Sequence, residues 1–135
     1  MSPSNEDIVA ICRMQIELVK INAATFFPGQ ALADVLDLHF VLLHLFVGDA
    51  KGCQLSVSGL ARAMGLSRGG VRNKLAKLVE VGWCTNGGEG YALTHDIVKS
   101  HPLPELLTRK AEIIAAAAKE VADLAASSAM ANLAS

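Results

Sequence analysis

Aromatic residues are scarce in this sequence: one tryptophan, one tyrosine and four phenylalanines make up 4% of it. Aromatic and β-branched side chains favour strands, whereas alanine and leucine, which are abundant here, favour helices. The composition therefore argues against a β-sandwich or barrel and predicts a mainly α fold. The chain of 135 residues is long enough to bury a core, and we predict a single domain, 1–135.

Cysteines are few, and long apolar runs are missing. Cys12, Cys53 and Cys84 lie far apart and form no CxxC pair, which argues against a disulfide framework and a cysteine metal site. We expect Cys12 and Cys84 to be buried, unreactive thiols. The apolar run 38–48 is too short to span a membrane, and the N-terminus carries no secretion signal. We therefore expect a cytoplasmic protein with no membrane partner.

Acidic residues are absent from one long segment, 51–79. The segment holds six of the twelve basic residues and none of the thirteen acidic ones. The rest of the chain has six bases against thirteen acids, a net charge of −7. A solvated helix face usually carries charges of both signs. A patch with positive charge only therefore predicts an anionic partner such as nucleic acid. The six cations are Lys51, Arg62, Arg68, Arg72, Lys74 and Lys77.

The two ends of the chain are predicted to form long helices, 4–29 and 102–135. The first begins at Ser4, a good N-cap that acidic residues follow. The second is rich in alanine, and larger apolar residues recur in it every seven positions, at Leu107, Ile114 and Val121. This spacing is typical of helix packing. The surplus apolar surface predicts a subunit interface.

The segment between these helices predicts two short helices joined by a tight turn. Ser56 and Ser67 are good N-caps, and Gly65 is a natural residue to end the first short helix. Apolar positions three and four residues apart define the inward faces, which are Leu60, Ala61 and Met64, then Val71, Leu75, Leu78 and Val79. CQLS, 53–56, could supply a short strand before them. Residues 83–94 read as a short β-hairpin with a glycine-rich tip.

This order of elements resembles the MarR family of dimeric winged helix-turn-helix transcription regulators. The stretches LARAMGLSRGGVRNKLAKLVEVGW and YALT carry the resemblance best. It implies a homodimer held by helices 4–29 and 102–135, with a winged helix-turn-helix lobe at 30–100. The second helix of that lobe, 67–82, would enter the major groove of double-stranded DNA. The resemblance also implies a small-molecule effector that modulates DNA binding.

The predicted DNA contacts are cationic and polar side chains of the two short helices. Arginine pairs with guanine and asparagine with adenine in the major groove, so base contacts are assigned to Arg68, Arg72 and Asn73. Contacts to phosphates or the DNA backbone are assigned to Lys74, Lys77 and Arg62.

Two glycines stand at the front of the predicted recognition helix, although each costs roughly 0.5–1 kcal/mol relative to alanine inside a helix. Gly69 and Gly70 have no side chain to read a base. We interpret them, beside the cap Ser67, as positions where backbone amides approach a phosphate closely. The hairpin tip, 86–90, carries one acid and no base, so minor-groove contact by the tip is not expected.

Other functions have weaker support in the sequence. His39 and His44 lie about 140° apart around a helix, so they do not share a metal-binding face. No catalytic constellation is visible, and we expect no enzyme activity, metal or cofactor. The phenylalanines could form core or line a ligand pocket. The alternative function is a winged-helix module that binds protein rather than DNA, which the acidic tip and the glycine pair favour.

Overall fold

Helices dominate the computed structural model, which describes residues 4–134 except for the side chain of Ala134. The elements are α1 (Asn5–Phe26), α2 (Leu32–Ala50), α3 (Val57–Met64), α4 (Arg68–Glu80), β1 (Cys84–Asn86), β2 (Tyr91–Leu93), α5 (His95–Ser100) and α6 (Leu103–Ala134). The mainly helical class, the small antiparallel hairpin and the long C-terminal helix are confirmed. Residues 1–3 and 135 of the predicted domain lie outside the described part.

The chain divides into two compact units, 1–24 with 103–135, and 25–102. In the first unit α1 and α6 run antiparallel. Ala10 and Ala117 border one groove between the two helices, and Ile21 and Arg109 border another.

The predicted cap of α1 is confirmed. The Asp7 N–H donates to Ser4 Oγ at 3.1 Å, and the Ser4 N–H donates to Asp7 Oδ2 at 3.2 Å.

The second unit is built around a core that α2, α3, α4 and the hairpin share. Val41, Leu45, Leu60, Ala61, Val71, Leu75, Leu78 and Cys84 form its buried cluster. Both predicted caps are confirmed: Ser56 Oγ accepts from Gly59 N–H and Ser67 Oγ accepts from Gly70 N–H, each at 3.0 Å. Gly65 ends α3 with φ +67°, in the left-handed region that favours glycine.

Two expectations for this unit differ from the structure. Val79 was expected to face inward but is 43% exposed, because it lies about 100° around the helix from the buried Leu78. Residues 53–56 form no strand, since Leu55 makes only an isolated bridge to Tyr91. The structure also contains the short helix α5, which no clear pattern in the sequence predicts. Its residue Ile97 is buried in the second unit.

The hairpin is held to the lobe at its base and tip. Leu55 and Tyr91 exchange two backbone hydrogen bonds, and Thr94 donates its hydroxyl to the Gly82 carbonyl. Gly90 has φ +154°, and a Cβ there would lie 2.8 Å from the Leu55 carbonyl oxygen. Glycine is therefore required at this position for the hairpin to approach the segment that precedes α3.

The cysteines divide by burial. Cys84 is buried as expected, and burial raises the pKa of its thiol to about 11. Cys12 is exposed, so the expectation of a buried thiol is wrong. The reason is that Cys12 belongs to a face of α1 that no described residue covers. The sequence of a helix with many apolar residues does not by itself show which of those residues are buried by another element.

Candidate nucleic-acid interface

The helix α4 is anchored by one side and presents the other to solvent. Val71, Leu75 and Leu78 are fully buried. Because a helix turns by about 100° per residue, Gly69, Arg72, Asn73 and Ala76 lie together on the opposite side, and all four are exposed. The core of the lobe thus fixes which face of α4 is available to a ligand.

The cations of segment 51–79 are available to an external anion. Lys74 is half-buried, and the other five are exposed. Within residues 4–134 the one ion pair joins Lys119 to Asp123, so none of these six cations forms a salt bridge with another described residue. Their charge is not neutralised by their neighbours, which is the state that phosphate binding requires.

The predicted contacts are not all on one helix face. Arg72, Asn73 and Lys77 lie around the exposed side of α4, whereas Lys74 lies toward its buried flank. Arg68 also lies toward a buried flank by helix rotation, but it is the first residue of α4 and is exposed. Arg62 is exposed on α3 and Lys51 is exposed directly after α2, so these two cations belong to other elements.

One residue of the exposed face was missed by the sequence reasoning. Ala76 follows Arg72 by four positions and Asn73 by three, so it lies on the same face of α4, one turn further along the helix. Its small side chain leaves room for close approach of a ligand. The helical spacing was the signal that could have identified it. Beyond it, the exposed Glu80 ends the cationic run.

The two glycines at the start of α4 differ in their surroundings. Neither has a positive φ, so the backbone conformation does not demand glycine at either site. A Cβ on Gly70 would lie 3.2 Å from Ser67 Oγ, and the Gly70 N–H is already donated to that oxygen. A Cβ on Gly69 would meet nothing within 4 Å. The interpretation of close backbone approach therefore rests mainly on Gly69.

Replacing Gly69 with alanine should separate stability from binding. Because the site is open, alanine should raise the free energy of unfolding by about 0.5 kcal/mol through its higher helix propensity. The added methyl group should nevertheless weaken DNA binding about tenfold if a phosphate approaches the backbone there. Urea unfolding and fluorescence anisotropy measure the two effects. Ala33→Gly, an exposed position of α2 outside segment 51–79, is the control for a change in helix propensity alone, and unchanged affinity in the Gly69→Ala variant would show that no close approach occurs.

The hairpin tip carries no cation. The Gly87 N–H donates to the Gly90 carbonyl at 2.8 Å, and the Gly88 N–H donates to Asn86 Oδ1 at 3.0 Å. Glu89 is exposed between them. The local charge is therefore negative where a DNA-contacting tip would need a positive one.

The aromatic residues near the hairpin base pack against one another. Phe26 and Phe27 are buried, and their ring centroids lie 6.0 and 5.7 Å from that of Trp83. Phe46 lies 5.8 Å from Phe26. These three phenylalanines thus contribute to packing in the second unit, whereas Phe40 is 43% exposed.

Two features are absent from residues 4–134. No helix in this part of the chain is long and apolar enough to cross a bilayer. The same residues contain no group of three or more histidine, cysteine or acidic side chains arranged to hold a metal ion. Comparison of the chain with protein-family models, with curated proteins and with solved structures finds no match.

Proposed function

We propose that this protein is a cytoplasmic transcription regulator that binds double-stranded DNA as a winged helix-turn-helix homodimer. In this proposal α3 and α4 are the helix-turn-helix, α4 enters the major groove, and β1 with β2 is the wing. The observation that carries it is the set of cations in segment 51–79 that form no ion pair within the described chain. The resemblance to the MarR family agrees with this assignment.

The homodimer is supported by the outward faces of the first unit. The charged residues Arg13, Glu17, Arg109 and Glu112 border the groove between α1 and α6. Aliphatic residues point away from it and are 42–63% exposed: Ile8, Val9, Ile11 and Ile16 on α1, and Leu107 and Ile114 on α6. Apolar helix faces of this extent need a cover. A second copy of the same helices supplies one with matching chemistry.

A two-fold axis then has a consequence for the DNA site. It would duplicate α4 and set the two copies about 34 Å apart, which is one turn of B-DNA. The preferred site is accordingly a palindrome. Arg62, Lys74 and Lys77 would contribute three phosphate contacts per subunit and six per dimer.

The experiment that tests this proposal is DNA binding as a function of salt. Six phosphate contacts predict that affinity falls roughly a thousandfold between 50 and 200 mM salt. A gel-shift titration with the DNA upstream of the protein's own coding sequence measures the effect. Absence of binding even at the lowest salt would contradict the proposal.

The alternative is a winged-helix module that binds protein. The exposed Glu89 at a tip without any base favours it, because a wing that follows the minor groove needs positive charge. It predicts no salt-dependent shift with any duplex, so the same titration distinguishes the two functions.

A further inference from the structure

The helix α2 leaves one apolar face uncovered in the second unit. Leu32, Leu36, Phe40 and Val47 are 41, 37, 43 and 53% exposed. At about 100° per residue these four side chains fall within roughly a quarter of the helix circumference. We call these four residues the α2 stripe. A continuous apolar stripe of this kind marks an interaction surface rather than scattered surface residues.

Two ionisable residues border the stripe on one flank, Asp37 and His44. They are seven positions apart, so they lie on the same side of the helix two turns from each other. The midpoint between them falls between Phe40 and Val41. A carboxylate and an imidazole placed symmetrically about the centre of an apolar stripe form a self-complementary pattern.

The pattern fits a second copy of α2 packed antiparallel across a two-fold axis at that midpoint. Such an axis places Asp37 of each copy opposite His44 of the other, where an imidazole N–H can donate to the carboxylate. It also brings the two Phe40 side chains together at the centre. Leu32 of one copy then lies near Val47 of the other, so apolar residues meet apolar residues along the stripe.

A cavity next to Phe40 supports this arrangement. It has a volume of about 350 Å³ and is bordered by Asp37, Phe40 and His44 of α2 and by Ala63, Met64 and Leu66. It opens on the flank of the stripe that carries the ionisable pair. The proposed axis places Phe40 of the second copy at the mouth of this cavity, with apolar partners from α3 and the turn after it.

We propose that the α2 stripe is a second self-association surface, whose occupant is the α2 stripe of another copy of this chain. Dimers that form through α1 and α6 would join through α2 into tetramers and, since each dimer carries two stripes, into larger assemblies. The tetramer rests on the dimer of the proposed function, but the pairing of α2 does not. Four half-exposed side chains are fewer than the 20–30 residues per side of a standard interface. We therefore expect the affinity of the α2 pairing to be low, so that it forms only at high protein concentration.

Sedimentation velocity over a range of protein concentrations tests the proposal with two variants and their combination. The wild type should shift from dimer to tetramer and larger species as concentration rises. Phe40→Asp should remain a dimer, because it buries a charge at the centre of the paired stripes. Ile16→Asp, which disrupts the α1 face, should still pair through α2, and the double variant should be monomeric.

Each departure from this pattern has a distinct meaning. A wild type that never exceeds a dimer, together with a Phe40→Asp variant that remains a dimer at every concentration, would overturn the α2 surface. A Phe40→Asp variant that becomes monomeric, or an Ile16→Asp variant that behaves as the wild type, would instead contradict the dimer of the proposed function. Circular dichroism establishes that each variant is folded, and Asp34→Asn, exposed on α2 outside the stripe, is the matched control.

A charge exchange tests the register of the pairing. Asp37→His alone and His44→Asp alone should each weaken tetramer formation about tenfold, because like residues then face each other across the axis. The double variant D37H/H44D restores opposite partners and should recover most of the loss. Failure of the double variant to recover would overturn the antiparallel register.

Discussion

Replacing Arg72 and Lys77 together with alanine is expected to abolish specific DNA binding while leaving the protein folded. Both side chains are exposed on α4 and form no ion pair with residues 4–134, so the free energy of unfolding should change by less than about 0.5 kcal/mol per site. An arginine contact to a base contributes about 1–3 kcal/mol. Because a dimer loses the contact twice, affinity should fall by roughly a thousandfold or more.

Fluorescence anisotropy on the upstream DNA measures this loss, and a salt titration divides it between the two residues. The single variant Lys77→Ala should reduce the slope of log affinity against log salt by about two for the dimer, whereas Arg72→Ala should mainly relax sequence preference. Lys20→Ala with Lys99→Ala removes the same net charge outside segment 51–79 and is the control. Equal losses in the control pair and in the test pair would mean that only net charge matters.

Replacing Leu75 with alanine should destabilise the protein far more than truncating any exposed residue of α4. Leu75 is fully buried in the cluster that joins α4 to α2, α3 and the hairpin. Truncation of a buried leucine removes apolar contacts and leaves a cavity, which costs about 2–5 kcal/mol. For a chain of this size the expected decrease in Tm is about 10 °C.

Urea unfolding followed by circular dichroism measures the change in free energy. Val79→Ala is the control on the same helix, since Val79 is 43% exposed and its truncation should cost less than about 1 kcal/mol. A similar loss in both variants would show that Val79 is covered after all. The comparison therefore also tests whether Val79 lies outside the inward face of α4.

The local features of the fold follow from the sequence because they depend on residues close together along the chain. Ser56 and Ser67 cap their helices through hydrogen bonds that span three residues. Gly65 ends α3 because only glycine readily adopts its positive φ. The burial of Val71, Leu75 and Leu78 follows from their three- and four-residue spacing.

The candidate interface was predicted as a charged segment rather than as a surface. That Lys51–Val79 contains no acid is a property of the sequence alone. Which cations share a face, and that Lys74 is half-buried while Arg72 is exposed, depends on how α4 rotates about its axis when the core forms. The absence of ion pairs for these cations within residues 4–134 also depends on where the thirteen acids end up in space.

The sequence by itself determined the helical class, the helix caps and the separation of charge, since propensity, capping and composition act locally. Only the tertiary structure decided that Val79 and Cys12 are exposed, that Leu55 bridges to Tyr91, and that α2 keeps an apolar stripe uncovered. These features depend on contacts between residues far apart in the chain. An amphipathic pattern indicates that a helix face can be buried, but the packing of the other elements determines whether that face is buried.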